Sequence, residues 1–145
     1  MNDLPPTGPL TGLRIVEGAS FVAGPSGGMA LAQLGADVIR VDLPRGGSDY
    51  QRWPVDPRGA SLYWASLNKG KRSVSIDYRT PEGHELFSAL VTTSGPGGGI
   101  FLDNMVGRAR VTYEELRARR DDVIHVHVQG HADGTPSTPV WGSPR

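Results

Sequence analysis

A loop of small residues is the first segment whose composition suggests chemistry. Gly18–Pro25 (GASFVAGP) follows an apolar run and precedes a helix start. Helix N-termini at the carboxyl ends of strands present free N–H groups to phosphate. The glycines do not match the G-x-G-x-x-G dinucleotide fingerprint, although Asp42 stands where such folds place a ribose-binding acid. The loop is therefore either a phosphate-binding turn or a tight turn packed with small residues.

A cationic segment is the second candidate. Asn68–Arg72 (NKGKR) places Lys69, Lys71 and Arg72 around a glycine, and Arg79 follows. Lysine and arginine form charge-assisted hydrogen bonds with phosphate. Short basic clusters are also typical of solvated surface, so both interpretations stay open.

The third candidate is His125-x-His127, followed by His131 and Asp133. Alternate residues of a strand share a face, so two imidazoles could bind one zinc ion. No third ligand lies at a recognised spacing, and we therefore predict no metal site. The alternative is that both histidines occupy the less apolar face of a strand whose other face carries Ile124, Val126 and Val128.

Strands and helices alternate around these segments. Apolar runs predict strands at 13–17, 37–42, 72–78, 100–104 and 123–128. A first helix is predicted to begin at Pro25, in the first helical position, and to end before Gly35. A second is predicted over residues 81–91, with Thr80 as its N-cap. A third is predicted to begin at the capping box of Thr112 and Glu115 and to end near Arg120. This pattern predicts an α/β fold, a Rossmann-like lobe with a largely parallel sheet and an uncovered edge.

The domain organisation follows from the same pattern. Residues 1–9 are expected to be a flexible N-terminus, 10–130 the α/β lobe, and 131–145 a disordered tail. Residues 43–68 form a long excursion with Trp53, Tyr63 and Trp64, which we expect to pack at a subunit interface.

Composition excludes several classes of function. Fifteen basic and fifteen acidic residues leave no net charge, so neither nucleic acid nor an anionic membrane is an expected partner. The absence of cysteine excludes disulfides and thiolate chemistry. The N-terminus does not resemble a signal peptide, and a soluble cytoplasmic protein is expected.

Taken in order, several motifs resemble one family. They are LGADVI (34–39), NKGKRS (68–73), DYRTPEG (77–83) and FLDN (101–104). Over residues 8 to 134 the chain resembles the class III CoA-transferases, the formyl-CoA transferase type that also includes carnitine CoA-transferase and α-methylacyl-CoA racemase. Two segments are most similar to the 2-methylfumaryl-CoA (mesaconyl-CoA) isomerase branch, which moves CoA between the two carboxyls of one substrate. They are VEGASFVAGPSGGMALAQLGADVIR and YQRWP.

The resemblance implies a substrate, a partner and a site. It implies a CoA thioester as substrate with no permanently bound cofactor, a Rossmann-like large domain plus a small domain, and an interlocked homodimer of full-length chains. Carried over by position, the residues that contact CoA are Phe21, Val22 and Ala23 in the first loop, Ile76 and Arg79 at the nucleotide end, Asn104 and Met105 beside the pantetheine, and Arg108.

The same resemblance implies that the chain is truncated before the small domain. The family's nucleophile is an aspartate downstream of the strand at 123–128, and Asp133 is too close to that strand to be it. We therefore assign no catalytic residue and expect the chain alone to be inactive. The alternatives are a dinucleotide-binding oxidoreductase domain, a metal-dependent hydrolase and a non-functional remnant.

Overall fold

Short β-branched runs form the centre of the molecule. The computed structural model describes residues 7–93, 95–105 and 111–130. Its strands are β1 (Arg14–Gly18), β2 (Asp37–Asp42), β3 (Arg72–Ser75), β4 (Ile100–Asp103) and β5 (Ile124–His127), and its helices are α1 (Ala23–Gln33), α2 (Leu62–Leu67), α3 (Pro81–Thr92) and α4 (Tyr113–Arg119). All strand pairs are parallel, in the order β3-β2-β1-β4-β5. The predicted α/β class with a parallel sheet is confirmed.

Two apolar layers cover the central strand, because successive side chains of a strand point to opposite faces. Val16 of β1 packs with Phe87 of α3 and Phe101 of β4. Ile15, its neighbour, packs on the other face with Val38 and Ala32. Burying each large apolar side chain contributes roughly 1.5–3 kcal/mol, which fixes the strands whose carboxyl ends form the site.

Local capping signals set most helix ends. Thr80 accepts a hydrogen bond from Gly83 N at 3.1 Å, with Pro81 in the first turn of α3, and α4 begins with the predicted capping box. Gly35, just past α1, has a φ of +100°, which favours glycine. The predicted start of α1 is wrong, because the helix begins at Ala23. Pro25 is its third residue, where a missing N–H is still harmless.

The excursion at 43–68 contains a helix that the sequence pattern did not predict. Ser61 caps α2 by accepting a hydrogen bond from Trp64 N at 3.0 Å. Trp64 packs edge-on against Tyr50, with ring centroids 5.5 Å apart, whereas Trp53 is 76% exposed. A further correction concerns β3, which ends at Ser75 rather than at residue 78.

The last strand buries the face that carries its two histidines, although this is its less apolar face. Ile124 and Val126 are 55% and 48% exposed, while the side chains of His125 and His127 are mostly buried. His125 stacks on Phe101, with centroids 4.8 Å apart. Within the described ranges β5 pairs with β4 alone, as expected for an uncovered edge. The predicted tail at 131–145 lies outside the described residues.

Among the described residues, no helix combines the length and apolar character needed to cross a membrane.

Candidate functional site

The carboxyl ends of the parallel strands share one edge of the sheet, where folds of this kind bind ligands. A cavity of about 330 Å³ opens there. Its lining comes from the ends of β1 and β4 and from the loops after β2 and β3, and consists of Gly18, Ser20, Phe21, Ser48, Tyr78, Asn104 and Met105. Apolar and hydroxyl-bearing side chains thus meet at the edge that the fold favours for binding.

The loop after β1 is held in an unusual conformation. Phe21 is the one non-glycine residue with positive φ (68°) among those described. Left-handed backbone costs an ordinary residue about 1–2 kcal/mol. The buried carboxylate of Asp49 holds it there, since its Oδ2 accepts a hydrogen bond from Phe21 N at 2.8 Å. Such strain is concentrated at functional sites, which makes this loop a candidate ligand contact.

Asn104 fixes the opposite wall of the cavity to the same loop. Its Oδ1 accepts a hydrogen bond from Ser20 N and its Nδ2 donates one to Ser20 O, both at 2.9 Å. The amide of Asn104 therefore positions the loop.

A buried ionic network anchors these loops to the sheet. Arg40 is 1% exposed and donates to both carboxylate oxygens of Asp42, at 2.9 and 3.0 Å. It also donates to Asp49 Oδ1 at 2.9 Å and to Asn68 Oδ1 at 3.0 Å. The carboxylate of Asp42 is thus engaged by an arginine rather than free for a ribose, which counts against the dinucleotide interpretation.

Lys71 belongs to the same network, so its ammonium is already engaged by protein groups. Its buried Nζ donates to Glu17 Oε1 at 2.8 Å and to Pro25 O at 2.9 Å. Burial raises the pKa of Glu17 and lowers the pKa of Lys71, because lost hydration outweighs the attraction between the two charges. Gly28 of α1 provides the room, since a Cβ there would lie 1.7 Å from Glu17 Oε2.

Arg72 and Arg79, two further cations of the predicted phosphate-binding set, lie at opposite ends of β3. Arg72 pairs with Asp37 at 3.0 Å, at the amino ends of the strands and therefore opposite the cavity. Arg79 follows β3 on the cavity side. Its side chain is 58% exposed, and it donates to both oxygens of Asp77 at 2.8 and 2.9 Å. These hydrogen bonds lower the pKa of Asp77.

The structure places the other predicted contacts as follows. Phe21, Asn104 and Met105 line the cavity. Val22 instead lines a neighbouring apolar cavity, also of about 330 Å³, with Pro54 and residues of α2. Ala23 is exposed at the start of α1. Ile76 is buried in the core, so only its main chain could reach a ligand. Arg108 lies outside the described residues.

Sequence reasoning missed several groups near the cavity. Ser20, Ser48 and Tyr78 line it, and the guanidinium of Arg52 lies 5.6 Å from the ring centre of Phe21 and 4.8 Å from that of Tyr63. Arg52 belongs to the YQRWP motif, which carried part of the family resemblance but gave no indication of this contact.

A second cluster lies where β4 and β5 end. Asp103 is 1% exposed, and its two oxygens face the ring nitrogens of His125 and His127. The prediction of no metal site assumed that no third ligand was available. Asp103, 22 residues before His125, supplies the missing acidic group.

The fold and the cavity together define a parallel α/β domain with a cavity at the carboxyl edge of its sheet. The sequence matches the family model of CoA-transferase family III over residues 10–142, eight residues beyond the end of the resemblance seen in the motifs. The chain belongs to CoA-transferase family III.

Known relatives agree with this assignment. The chain is 54% identical over 128 residues to 2-methylfumaryl-CoA isomerase of Chloroflexus aurantiacus, covering 88% of this chain and 31% of that enzyme. It is 35% identical to succinate–glutarate CoA-transferase of Agrobacterium fabrum, covering 94% and 36%. The chain therefore spans about a third of the length of these relatives.

Solved structures show the same fold. A CAIB/BAIF family protein from Brucella suis superimposes with a TM-score of 0.69 at 36% identity, covering 81% of this chain and 32% of that protein. A hypothetical protein from Mycobacterium tuberculosis gives a TM-score of 0.78 at 27% identity, covering 90% and 36%.

Proposed function

We propose that this chain is the CoA-binding lobe of a CoA-transferase or CoA-thioester isomerase that acts on substrates of the 2-methylfumaryl-CoA type. The substrate is a CoA thioester, and no cofactor is permanently bound. The cavity at the carboxyl edge, with the strained Phe21 loop as its wall, is the observation that supports this assignment most directly.

The size of the cavity suggests which part of CoA it can hold and which part lies on the surface. About 330 Å³ is near the lower end of the ~300–1,000 Å³ typical of ligand sites, so it suits only part of CoA. Asn104 and Met105 line it, in agreement with their proposed position beside the pantetheine. The nucleotide end then lies outside, towards the exposed guanidinium of Arg79.

The start of α1 provides a further attraction for phosphate. Its N-cap residue, Val22, has no side-chain oxygen for the first N–H groups of the helix. Those groups and the positive end of the helix dipole favour an anion. The preceding loop is built of small residues, which lets the backbone approach a ligand.

By itself the chain is proposed to bind CoA thioesters without converting them. The resemblance implies covalent catalysis by an aspartate farther downstream of β5 than Asp133. The same resemblance is the basis for proposing that full-length relatives form an interlocked homodimer in the cytoplasm.

A calorimetric titration of CoA, dephospho-CoA and NAD tests the ligand. CoA carries a 3′-phosphate that the other two lack, and one charge-assisted hydrogen bond contributes about 1.5–3 kcal/mol. Arg79→Ala should therefore weaken CoA binding about 10- to 150-fold and dephospho-CoA binding much less. Arg58→Ala is the matched control, because Arg58 also pairs with an aspartate two residues earlier, Asp56, but belongs to the segment before α2 rather than to the loop after β3.

The outcomes test three parts of the proposal separately. Equal losses for CoA and dephospho-CoA would reject the role of Arg79 alone. Tighter binding of NAD than of CoA would reject the CoA-binding lobe. Turnover of several CoA thioesters by the isolated chain at ~1 per second or faster would reject its inactivity.

A further inference from the structure

Strand pairing brings three residues of metal-ligating types together on one face of the sheet. In the parallel ladder between β4 and β5, Phe101 pairs with His125 and Asp103 pairs with His127. Asp103 thus lies directly beside His127, with His125 two residues back on the same face. Each of the three side chains offers one ligand atom, and these atoms all lie within 4.8 Å of one another.

The cluster is held in place by its surroundings. Asp103 Oδ1 accepts a hydrogen bond from Met105 N at 2.7 Å and lies 2.9 Å from His127 Nδ1. Its Oδ2 faces His125 Nε2, and the ring of His125 is stacked on Phe101. Two rigid strands and a buried carboxylate therefore orient all three groups without a ligand, which reduces the ordering cost of binding.

We propose that Asp103, His125 and His127 form a binding site for a divalent transition-metal ion of the zinc class. Two imidazole nitrogens and one carboxylate oxygen are ligands that zinc favours, and three protein ligands leave a fourth position for water. The site opens to solvent on the side of the two imidazoles. The side chains of His125 and His127 are 10% and 18% exposed, whereas that of Asp103 is 1% exposed. The proposal reverses the expectation drawn from the sequence alone.

Metal binding requires the ligand atoms, which lie within 4.8 Å of one another, to shift to tetrahedral spacing. Zinc–ligand bonds of about 2.0–2.2 Å in a tetrahedron place the ligand atoms about 3.3–3.5 Å apart. Asp103 Oδ1 and His127 Nδ1 are 2.9 Å apart, so the pair must open by about 0.5 Å, which small side-chain rotations supply. The bound ion would join the edge strand β5 to β4 and stabilise the strand whose outer face carries the exposed Ile124 and Val126.

The test uses the full 145-residue chain after treatment with a chelator. Zinc is titrated by calorimetry, and cobalt is added separately so that its visible absorption reports the coordination geometry. We expect one equivalent of zinc and a tetrahedral cobalt spectrum. With zinc at about 100 times its Kd, the folded-to-unfolded ratio should rise about 100-fold.

Variants identify the ligands. His127→Ala should weaken zinc binding by more than the ~10- to 100-fold typical of outer-shell changes. His84→Ala is the matched control, since His84 is also partly buried and lies 3.6 Å from a carboxylate of Glu115, outside the cluster. It should bind zinc like the parent chain, and circular dichroism checks that each variant is folded.

The parent chain alone can refute the proposal. Less than stoichiometric zinc after dialysis, or an unfolding midpoint that zinc does not move, would overturn it. Equal zinc binding by His127→Ala and the parent would overturn it as well. None of these results depends on CoA binding, so the two proposals fail independently.

Discussion

Two neighbouring glycines of α1 should respond in opposite directions to the same substitution. Alanine in a helix interior is favoured over glycine by about 0.8–1.0 kcal/mol. A Cβ at Gly27 would meet Leu102 Cδ2 at 3.8 Å, an ordinary contact. Gly27→Ala should therefore raise the free energy of unfolding by about 0.5–1 kcal/mol.

At Gly28 the same methyl group meets the buried ion pair. The Cβ would lie 1.7 Å from Glu17 Oε2 and 2.9 Å from its Cδ, with Lys71 Cε at 3.3 Å. The carboxylate must shift by at least about 1.7 Å to reach an ordinary contact. Overpacking costs about 1–3 kcal/mol, and breaking a buried ion pair costs about 3–5 kcal/mol. With partial relaxation, Gly28→Ala should lower the free energy of unfolding by about 2–4 kcal/mol, net of helix propensity.

Urea unfolding of the two variants, followed by tryptophan fluorescence and by circular dichroism, measures both changes. The pair controls for helix propensity, because both residues lie in α1 and receive the same methyl group. The reasoning fails if both substitutions shift the midpoint in the same direction, or if Gly28→Ala is as stable as the parent.

Two further predictions concern the loop anchor and a helix cap. Asp49→Asn leaves either Arg40 Nη2, which is buried, or Phe21 N without its acceptor. It should lower the free energy of unfolding in urea by about 3–5 kcal/mol and weaken CoA binding. The exposed Asp122→Asn is the control and should change little; equal effects of the two substitutions would contradict the anchoring role of Asp49. Backbone hydrogen bonding from Thr112, with His84 and Arg119 nearby, lowers the pKa of Glu115. The ionised carboxylate of Glu115 therefore adds to the free energy of unfolding above pH ~4.5, and this stabilisation is lost as pH falls through the lower folded-state pKa. The difference in stability between the parent and Glu115→Gln should accordingly disappear in acid. A difference that does not change with pH would refute this.

Most of the elements, and their order along the chain, could be predicted because their signals are local. The strand at 37–42 was predicted with its observed bounds, and the caps at Thr80 and Thr112 were confirmed. Their side chains act on N–H groups within three residues, so short segments of sequence suffice. The family resemblance followed from motifs in the same elements. Helix α2 was missed because its six residues lie among prolines and glycines that predict a loop.

The cationic segment shows where local reasoning ends. Lys71 and Arg72 are adjacent in sequence, but one is buried against Glu17 and the other pairs with Asp37 at the amino ends of the strands. Which cation is free for a ligand depends on carboxylates more than thirty residues away. No spacing rule within the segment contains that information.

The sequence alone determined the α/β class, the family, and the parallel direction of the strands that alternating strands and helices imply. Only the tertiary structure decided which face of β5 is buried and which groups meet there. His125 and His127 turn inward because β4 presents Phe101 and Asp103 on that face, and Ile124 and Val126 remain exposed on the other. The physical reason is that strand register fixes both faces at once, and the register is set by pairing between segments that are distant in sequence.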